Sequence, residues 1–242
     1  LYQSNDVLIT EVDGIRKLHT GGGVSGSINE YVVQSSFSVD SPFSFCSPYQ
    51  KGFLTPYLFG DNPDRVLVIG YGIGVVVRVI QTLWPSAEIV AVEPIDLLLE
   101  LSVEYFGADL TNLTFVRGYG ENYIKRCAYD AGSSGDKFDL IYQDAFDGDG
   151  GFIDGLVSET YFKNADKCLT AGGSLSINLA RDRNEVYPVV KRVFPNSLLL
   201  HDQKVASYFS YSTKADRLLC EEVLIDRSDG VEQFLGIVGP VF

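Results

Sequence analysis

The segment that most constrains the fold is a short apolar run followed by a glycine-rich turn, in residues 65–74. It reads Arg-Val-Leu-Val-Ile-Gly-Tyr-Gly-Ile-Gly, and after a predicted helix a second apolar run, Ile89-Val-Ala-Val-Glu93, follows. A buried strand, a glycine turn, a helix and a second buried strand ending in a carboxylate are typical of nucleotide pockets in doubly wound α/β proteins. The pattern therefore predicts a parallel sheet whose strand ends bind a ligand.

From residue 65 onward, apolar runs and helical periodicity alternate along the chain. This alternation predicts a doubly wound, mostly parallel, Rossmann-like sheet with helices on both faces. The predicted strands are 65–70, 88–93, 113–116, 138–143, 173–180, and two near 197–202 and 205–212. The predicted helices are 74–83, 96–106, 120–127, 158–169 and 183–193.

The residues before this region predict a smaller β-structure. Apolar runs flank the turn dipeptide Asp13-Gly14, which favours a hairpin, and residues 31–37 predict a further strand. We therefore expect residues 1–45 to form a small N-terminal β-appendage and residues 46–242 to form the Rossmann-like domain. A helix is predicted over 48–59.

Composition restricts the classes of partner. The net charge of −13 opposes binding to nucleic acid and to anionic membranes, and no apolar run reaches about 18 residues, the length that spans a bilayer. The four cysteines are widely spaced and only two histidines are present, so no metal site is expected. Reduced thiols and the lack of a signal-like first segment favour a cytoplasmic location.

The glycine turn narrows the ligand. Gly70, Gly72 and Gly74 allow a sharp turn and close approach to a ligand. Their spacing departs from the dinucleotide fingerprint, which requires glycine where Val75 stands, and no Gly-Lys-Ser/Thr follows as in a Walker loop. Glu93 can accept both hydroxyl hydrogens of a ribose. An adenosine-type ligand such as S-adenosylmethionine fits this set, and the alternative is a purely structural turn.

A second chemical segment follows the strand predicted at 138–143. Asp144 and Asp147 fall on the loop at its carboxyl end, where a ligand should lie. Beside a bound sulfonium, one carboxylate could hold an ammonium while the other removes a proton from an attacking amine. The alternatives are a solvated acidic turn and a calcium loop, and the latter is disfavoured because Gly151 and Ser158 stand where it needs ligands.

These segments, in this order, resemble the spermidine synthase family, aminopropyltransferases with a class I methyltransferase-like fold. The resemblance covers roughly residues 1–200 and includes Tyr49-Gln50, Gly118-Tyr119-Gly120 and the segment 171–178, Ala-Gly-Gly-Ser-Leu-Ser-Ile-Asn. The variant Asp144-Ala-Phe, together with Asn178, is most similar to the divergent branch called spermidine synthase-like.

The resemblance implies roles for particular residues. Asp144 would be the catalytic base. The amine substrate would be bound by Tyr49, Gln50 and Asp147, and the nucleoside by Gly70, Gly72, Gly74, Glu93 and Tyr119. The co-substrate would be decarboxylated S-adenosylmethionine or S-adenosylmethionine, without a metal, and the acceptor a small amine such as putrescine. Family members are commonly dimeric, so the resemblance allows a second copy of this chain as a partner, in a homodimer.

Three positions depart from the family pattern and define the alternatives. Ile73 stands in place of the loop aspartate, Lys51 in place of an acid, and Tyr119 in place of the adenine-reading aspartate. The loss of the loop acid favours an S-adenosylmethionine-dependent methyltransferase. Intact S-adenosylmethionine carries a carboxylate, which an aspartate at position 73 would repel. Tyr119 would either stack on the adenine or occlude the pocket. Occlusion would make the chain a non-catalytic descendant.

Overall fold

The computed structural model describes residues 1–4, 6–21, 31–40, 48–130, 137–147, 151–180, 183–202 and 207–216.

The N-terminal strands form a sheet of their own. Strands β1 (Tyr2–Gln3), β2 (Val7–Val12), β3 (Ile15–Gly21) and β4 (Tyr31–Ser38) form an antiparallel sheet in that order. The predicted hairpin is confirmed. Asp13 and Gly14 both have positive φ, as a two-residue turn between twisted strands requires.

The larger sheet has seven strands and the predicted, mostly parallel arrangement. Its order is β10-β11-β9-β8-β5-β6-β7, and β5 to β9 run parallel while β11 is antiparallel to both of its neighbours. The strands are β5 (Arg65–Ile69), β6 (Glu88–Glu93), β7 (Leu113–Arg117), β8 (Phe138–Gln143), β9 (Leu169–Ala180), β10 (Ser197–Asp202) and β11 (Ser207–Thr213).

Helices connect the parallel strands. They are α1 (Thr55–Leu58), α2 (Val75–Leu83), α3 (Leu97–Phe106), α4 (Gly120–Asp130), α5 (Glu159–Cys168) and α6 (Arg183–Val193), with 3-10 helices at Pro48–Leu54 and Asp154–Leu156. The helix predicted over 48–59 is divided into a 3-10 part and α1. Pro56 lies in the first turn of α1, where its missing N–H is tolerated, whereas it would interrupt one continuous α-helix.

The core lies on both faces of the large sheet. In β5, Val66 and Val68 pack toward α2, while Leu67 and Ile69 pack toward α4 and α5 on the opposite face. A strand covered on both faces needs apolar side chains at every position, which explains its continuous apolar run. In the part of the chain that is described, no helix has the length and apolarity needed to cross a membrane.

The N-terminal sheet packs against the large domain through a third apolar cluster. Its buried members are Val7, Ile9, Leu18 and Phe37 from the N-terminal sheet and Ile73, Leu98, Leu101 and Phe106 from the large domain. Arg78 lies over the Phe37 ring, 4.4 Å from its centroid, and donates to the Phe106 carbonyl. This interface places β3 and β4 beside the glycine turn. The boundary expected between residues 45 and 46 lies outside the described residues.

Candidate active site

A cavity of about 650 Å³ opens at the carboxyl ends of the parallel strands. Its floor comes from the ends of β5, β6, β8 and β9 and the start of α4, and β3 and β4 of the N-terminal sheet cover one side. β5 lies between β6 and β8, so the chain reverses its direction of winding here, which is where doubly wound folds bind ligands. The volume falls within the range of about 300 to 1,000 Å³ usual for ligand pockets.

The glycine turn and the acidic loop are in direct contact. Asp144 N donates to the Ile69 carbonyl over 2.9 Å. Gly70 has φ +90°, and a Cβ at this position would lie 2.3 Å from the carbonyl oxygen of Asp144. Gly70 is therefore required both for its backbone conformation and for the close approach of the neighbouring loop.

Gly72 and Gly74 have different environments. Gly72 has φ +55°, lines the cavity and has open space where a Cβ would stand. Gly74 has φ +80° at the N-cap of α2 and is not among the described lining residues, and a Cβ there would lie 3.0 Å from the Tyr71 hydroxyl. Gly70 and Gly72 thus border the ligand space, whereas Gly74 turns the chain into the helix.

Glu93 is held at the cavity by backbone amides. Its two carboxylate oxygens accept from Tyr71 N over 3.1 Å and from Ile95 N over 3.2 Å. Burial raises the pKa of Glu93 above its usual value, and these amide hydrogen bonds oppose that rise. The Gly72 amide also donates to this carboxylate. Because a carboxylate has about four lone-pair sites, three backbone donors orient the group and leave it able to accept from a ribose hydroxyl.

Asp144 is the most perturbed carboxyl group of the cavity. Asn178 Nδ2 donates to Asp144 Oδ1 over 2.8 Å. Burial raises the pKa of Asp144 to about 6, against the opposing effect of the Asn178 hydrogen bond. Near neutral pH the group is mostly ionised and more basic than an exposed aspartate, which suits a general base.

Asp147 is an exposed loop residue that also lines the cavity. Its Oδ1 accepts from Gly151 N over 2.7 Å, and its own N–H donates to the Gly151 carbonyl over 2.9 Å. Phe146 and Phe152 pair across the same loop with ring centroids 5.6 Å apart. These contacts hold Asp147 on the same side of the cavity as Asp144.

Tyr119 lies at the cavity and does not fill it. Its side chain is 59% exposed, and the cavity remains open beside it. Gly120, the next residue, packs so closely on β5 that a Cβ would lie 2.4 Å from Ile69 Cγ2. The backbone that carries Tyr119 is therefore fixed against the floor of the cavity, with the ring free to contact a ligand.

Other positions singled out in the sequence are not among the described residues that line the cavity. Gln50 is buried and donates to the Ser36 carbonyl over 3.0 Å, which ties the 3-10 helix to β4. The Tyr49 side chain lies outside the described residues. Lys51 and Ile73 are not among the described lining residues, and Ile73 is buried in the cluster that joins the N-terminal sheet to the large domain. Residue 73, where the family pattern has an aspartate, therefore faces the interface between the N-terminal sheet and the large domain.

The structure adds lining residues that sequence reasoning missed. Asp6, Thr20, Gln34 and Ser35 come from the N-terminal sheet. No local pattern marks them, because their position depends on how one sheet packs on another. Glu121 also lines the cavity, and its place directly after Gly118-Tyr119-Gly120 was a signal that could have identified it. Among the described residues, no group of three or more potential metal ligands occurs.

Comparison with known proteins finds a matching protein family. The family model "Spermine/spermidine synthase domain" matches residues 53–184. A polyamine aminopropyltransferase of Vibrio vulnificus is 32% identical over 133 residues, 54% of this chain and 42% of that protein. The chain thus aligns with less than half of that relative's length.

Two solved structures share the fold. A spermidine synthase in complex with the transition-state analogue AdoDATO superposes with a TM-score of 0.63 at 19% identity, over 96% of this chain and 88% of that one. Human methyltransferase-like protein 13 in complex with SAH superposes with a TM-score of 0.69 at 21% identity, over 79% of this chain and 93% of that one. Both support the methyltransferase-like fold class. Since the family model covers more than half of the chain, this protein belongs to the spermine/spermidine synthase family.

Proposed function

We propose that this protein is an aminopropyltransferase that moves an aminopropyl group from decarboxylated S-adenosylmethionine to a small polyamine such as putrescine. One observation carries the proposal: among the described residues, the cavity is lined by five carboxylates and by no lysine, arginine or histidine. The carboxylates are Asp6, Glu93, Glu121, Asp144 and Asp147. Such a site favours cations, and this donor and acceptor are both cationic.

The donor is assigned to the side of the cavity formed by β5, β6 and α4. Glu93 would accept from the ribose hydroxyls, and the backbone at Gly70 and Gly72 would lie against the sulfonium half of the nucleoside. Tyr119 would stack on the adenine, because its exposed ring borders the same space. The AdoDATO complex of a spermidine synthase with this fold supports the type of ligand.

The acceptor is assigned to the side formed by the acidic loop. Asp144 would take the proton from the attacking nitrogen, and the neutral amine would form a bond to the methylene carbon attached to sulfur. The carbon–sulfur bond would break, its electron pair staying on sulfur, so that methylthioadenosine leaves uncharged. Asp147 would hold an ammonium group nearby. Of the other amine-binding residues expected from the sequence, Gln50 supports β4 through Ser36, and Tyr49 remains a prediction.

Transfer of a methyl group from intact S-adenosylmethionine is the alternative. The loss of the loop acid at Ile73 favours it, and the fold is shared with a methyltransferase-like protein bound to SAH. The carboxylate of that co-substrate would, however, enter a cavity whose described charged groups are all acidic. The two functions therefore make opposite predictions about which donor binds more tightly.

Calorimetry with three ligands tests the proposal. We expect decarboxylated S-adenosylmethionine and methylthioadenosine to bind at least ten-fold more tightly than S-adenosylmethionine, and we expect turnover with putrescine. Glu93→Gln should weaken binding of both nucleosides. Glu88→Gln, at the exposed start of the same strand, is the matched control and should not. Tighter binding of the carboxylated donor would reject the proposal in favour of methyl transfer, and no binding of any of the three would favour a non-catalytic descendant.

A further inference from the structure

We propose that Asn178 is a positioning residue that holds the Asp144 carboxylate in one orientation, and that the backbone N–H of Ala180 sets the direction of the Asn178 amide. The catalytic consequence of this arrangement rests on the proposed function. The arrangement itself is a property of the folded chain and can be measured without turnover.

The strand register brings the two side chains together. β8 and β9 are parallel neighbours, and Gln143 is paired with Ile177. Asp144 directly follows β8 and Asn178 is the next residue of β9, so both lie at the same end of the sheet. Their side chains meet with Asn178 Nδ2 2.8 Å from Asp144 Oδ1. An ionised carboxylate can only accept, so the amide nitrogen must face it.

Ala180 determines which end of the amide faces Asp144. The two ends of an asparagine amide have almost the same shape, so its orientation depends on its hydrogen-bond partners. Ala180 N donates to Asn178 Oδ1 over 2.9 Å, which leaves Nδ2 directed to Asp144. Ala180 adopts φ +43°, a left-handed conformation that alanine rarely takes. Strain of this kind is often found at functional sites.

The hydrogen bonds from Ala180 to Asn178 and from Asn178 to Asp144 occupy one Asp144 oxygen and leave the other available to a ligand. Oδ1 accepts from Asn178, and within the described part of the chain no group donates a hydrogen bond to Oδ2. Asp144 lines the cavity, so Oδ2 is the oxygen that an amine can reach. The hydrogen bond from Asn178 also favours the ionised form, in opposition to the burial that raises the pKa of Asp144. Asn178 thus fixes the direction of this group and favours its ionised form against the larger effect of burial.

Other ionisable groups face the same cavity. The carboxyl groups are Asp6 before β2, Glu93 at the end of β6, Glu121 on α4 and Asp147 on the acidic loop, and the phenols are Tyr71 and Tyr119. These groups are unchanged in the Asn178 variants. A difference in pH profile between those variants and the parent protein therefore reports on the Asn178–Asp144 contact and not on the general acidity of the cavity.

The first experiment is the pH profile of kcat/KM with putrescine. Asn178→Ala should move the acid limb upward by about one pH unit, which is roughly a ten-fold loss of kcat/KM below the limb and a smaller loss near pH 9. Asn178→Asp preserves the size of the side chain and should move the limb further, because two carboxyl groups would then adjoin. Ser176→Ala is the control: Ser176 lies two residues away on the same face of β9, and its buried hydroxyl has no hydrogen-bond partner among the described residues. Its profile should match that of the parent protein.

The second experiment needs no activity. A double-mutant cycle of Asn178→Ala and Asp144→Ala, measured by urea unfolding, should show a coupling free energy at pH 8 that decreases toward pH 4.5 as Asp144 becomes protonated. Absence of coupling together with an unmoved acid limb would overturn the positioning role. Coupling in a protein that turns over no aminopropyl donor would support the positioning role and reject the proposed function instead.

Discussion

Replacement of Asp144 by asparagine should make the protein more stable at alkaline pH while removing its proposed base. The pKa of Asp144 is raised from 3.8 to about 6 mainly by burial, so the folded state disfavours the ionised carboxylate. A difference of this size corresponds to about 3 kcal/mol. Asparagine has the same shape, carries no charge and keeps an oxygen that can accept from Asn178.

The sign of the effect follows from linkage. Because the pKa is higher in the folded state, the stability that protonated Asp144 contributes is fully present below about pH 4 and is lost as pH rises through about 6. At pH 8, Asp144→Asn should therefore be more stable than the parent protein by up to about 3 kcal/mol. The difference should shrink toward zero as the pH is lowered to 4.5.

Urea unfolding followed by circular dichroism, at several pH values from 4.5 to 8, measures this difference directly. Glu88→Gln serves as the control, because Glu88 is exposed and its carboxylate forms a long ion pair with Arg65 at 3.7 Å. Its effect should stay within about 0.5 kcal/mol at every pH. If Asp144→Asn is less stable than the parent protein at pH 8, or if its effect does not change with pH, the account of this carboxylate is wrong.

Four further substitutions concern the cavity and the adjoining interface with the N-terminal sheet. Gly70→Ala should cost about 3 kcal/mol or more in urea unfolding, because its Cβ would lie 2.3 Å from the Asp144 carbonyl oxygen. Gly72→Ala, also at positive φ but with open space around it, should cost only about 1 kcal/mol. Ile73→Asp should cost about 3 kcal/mol or more by burying a carboxylate, with no gain in donor affinity by calorimetry, since residue 73 lies in the inter-sheet cluster. Tyr119→Ala should change stability by no more than about 0.5 kcal/mol and weaken methylthioadenosine binding about ten-fold, because its ring is exposed at the cavity.

Much of the fold was predictable because buried parallel strands leave a strong local signal. The apolar runs at 65–69 and 88–93 and the turn at Asp13-Gly14 correspond to observed strands and an observed hairpin. Strand ends were predictable too, and in a parallel sheet the carboxyl ends share one edge. Glu93 and Asp144 therefore lie at the same cavity, although they are far apart in sequence.

The helix predicted over 48–59 shows where local periodicity is insufficient. Apolar residues recur there at helical spacing, yet most of the segment is a 3-10 helix. Gly52 packs so tightly on Phe209 that a Cβ would lie 2.3 Å from its ring. The conformation of this segment thus depends on contact with β11, which is distant in the chain.

Residue type and spacing were sufficient for the doubly wound class, for the glycine turn and for the carboxylates at the strand ends, because backbone conformation and burial of a strand are properties of a local segment. Packing alone decided that Ile73 faces the N-terminal sheet, that Asp6 and Gln34 line the cavity, and that Asn178 donates to Asp144. The direction of a side chain and the polarity around a carboxyl group depend on neighbours that are remote in sequence. For that reason the position of Asp144 at the end of a buried strand could be predicted from the chain, whereas its raised pKa could be found only in the folded structure.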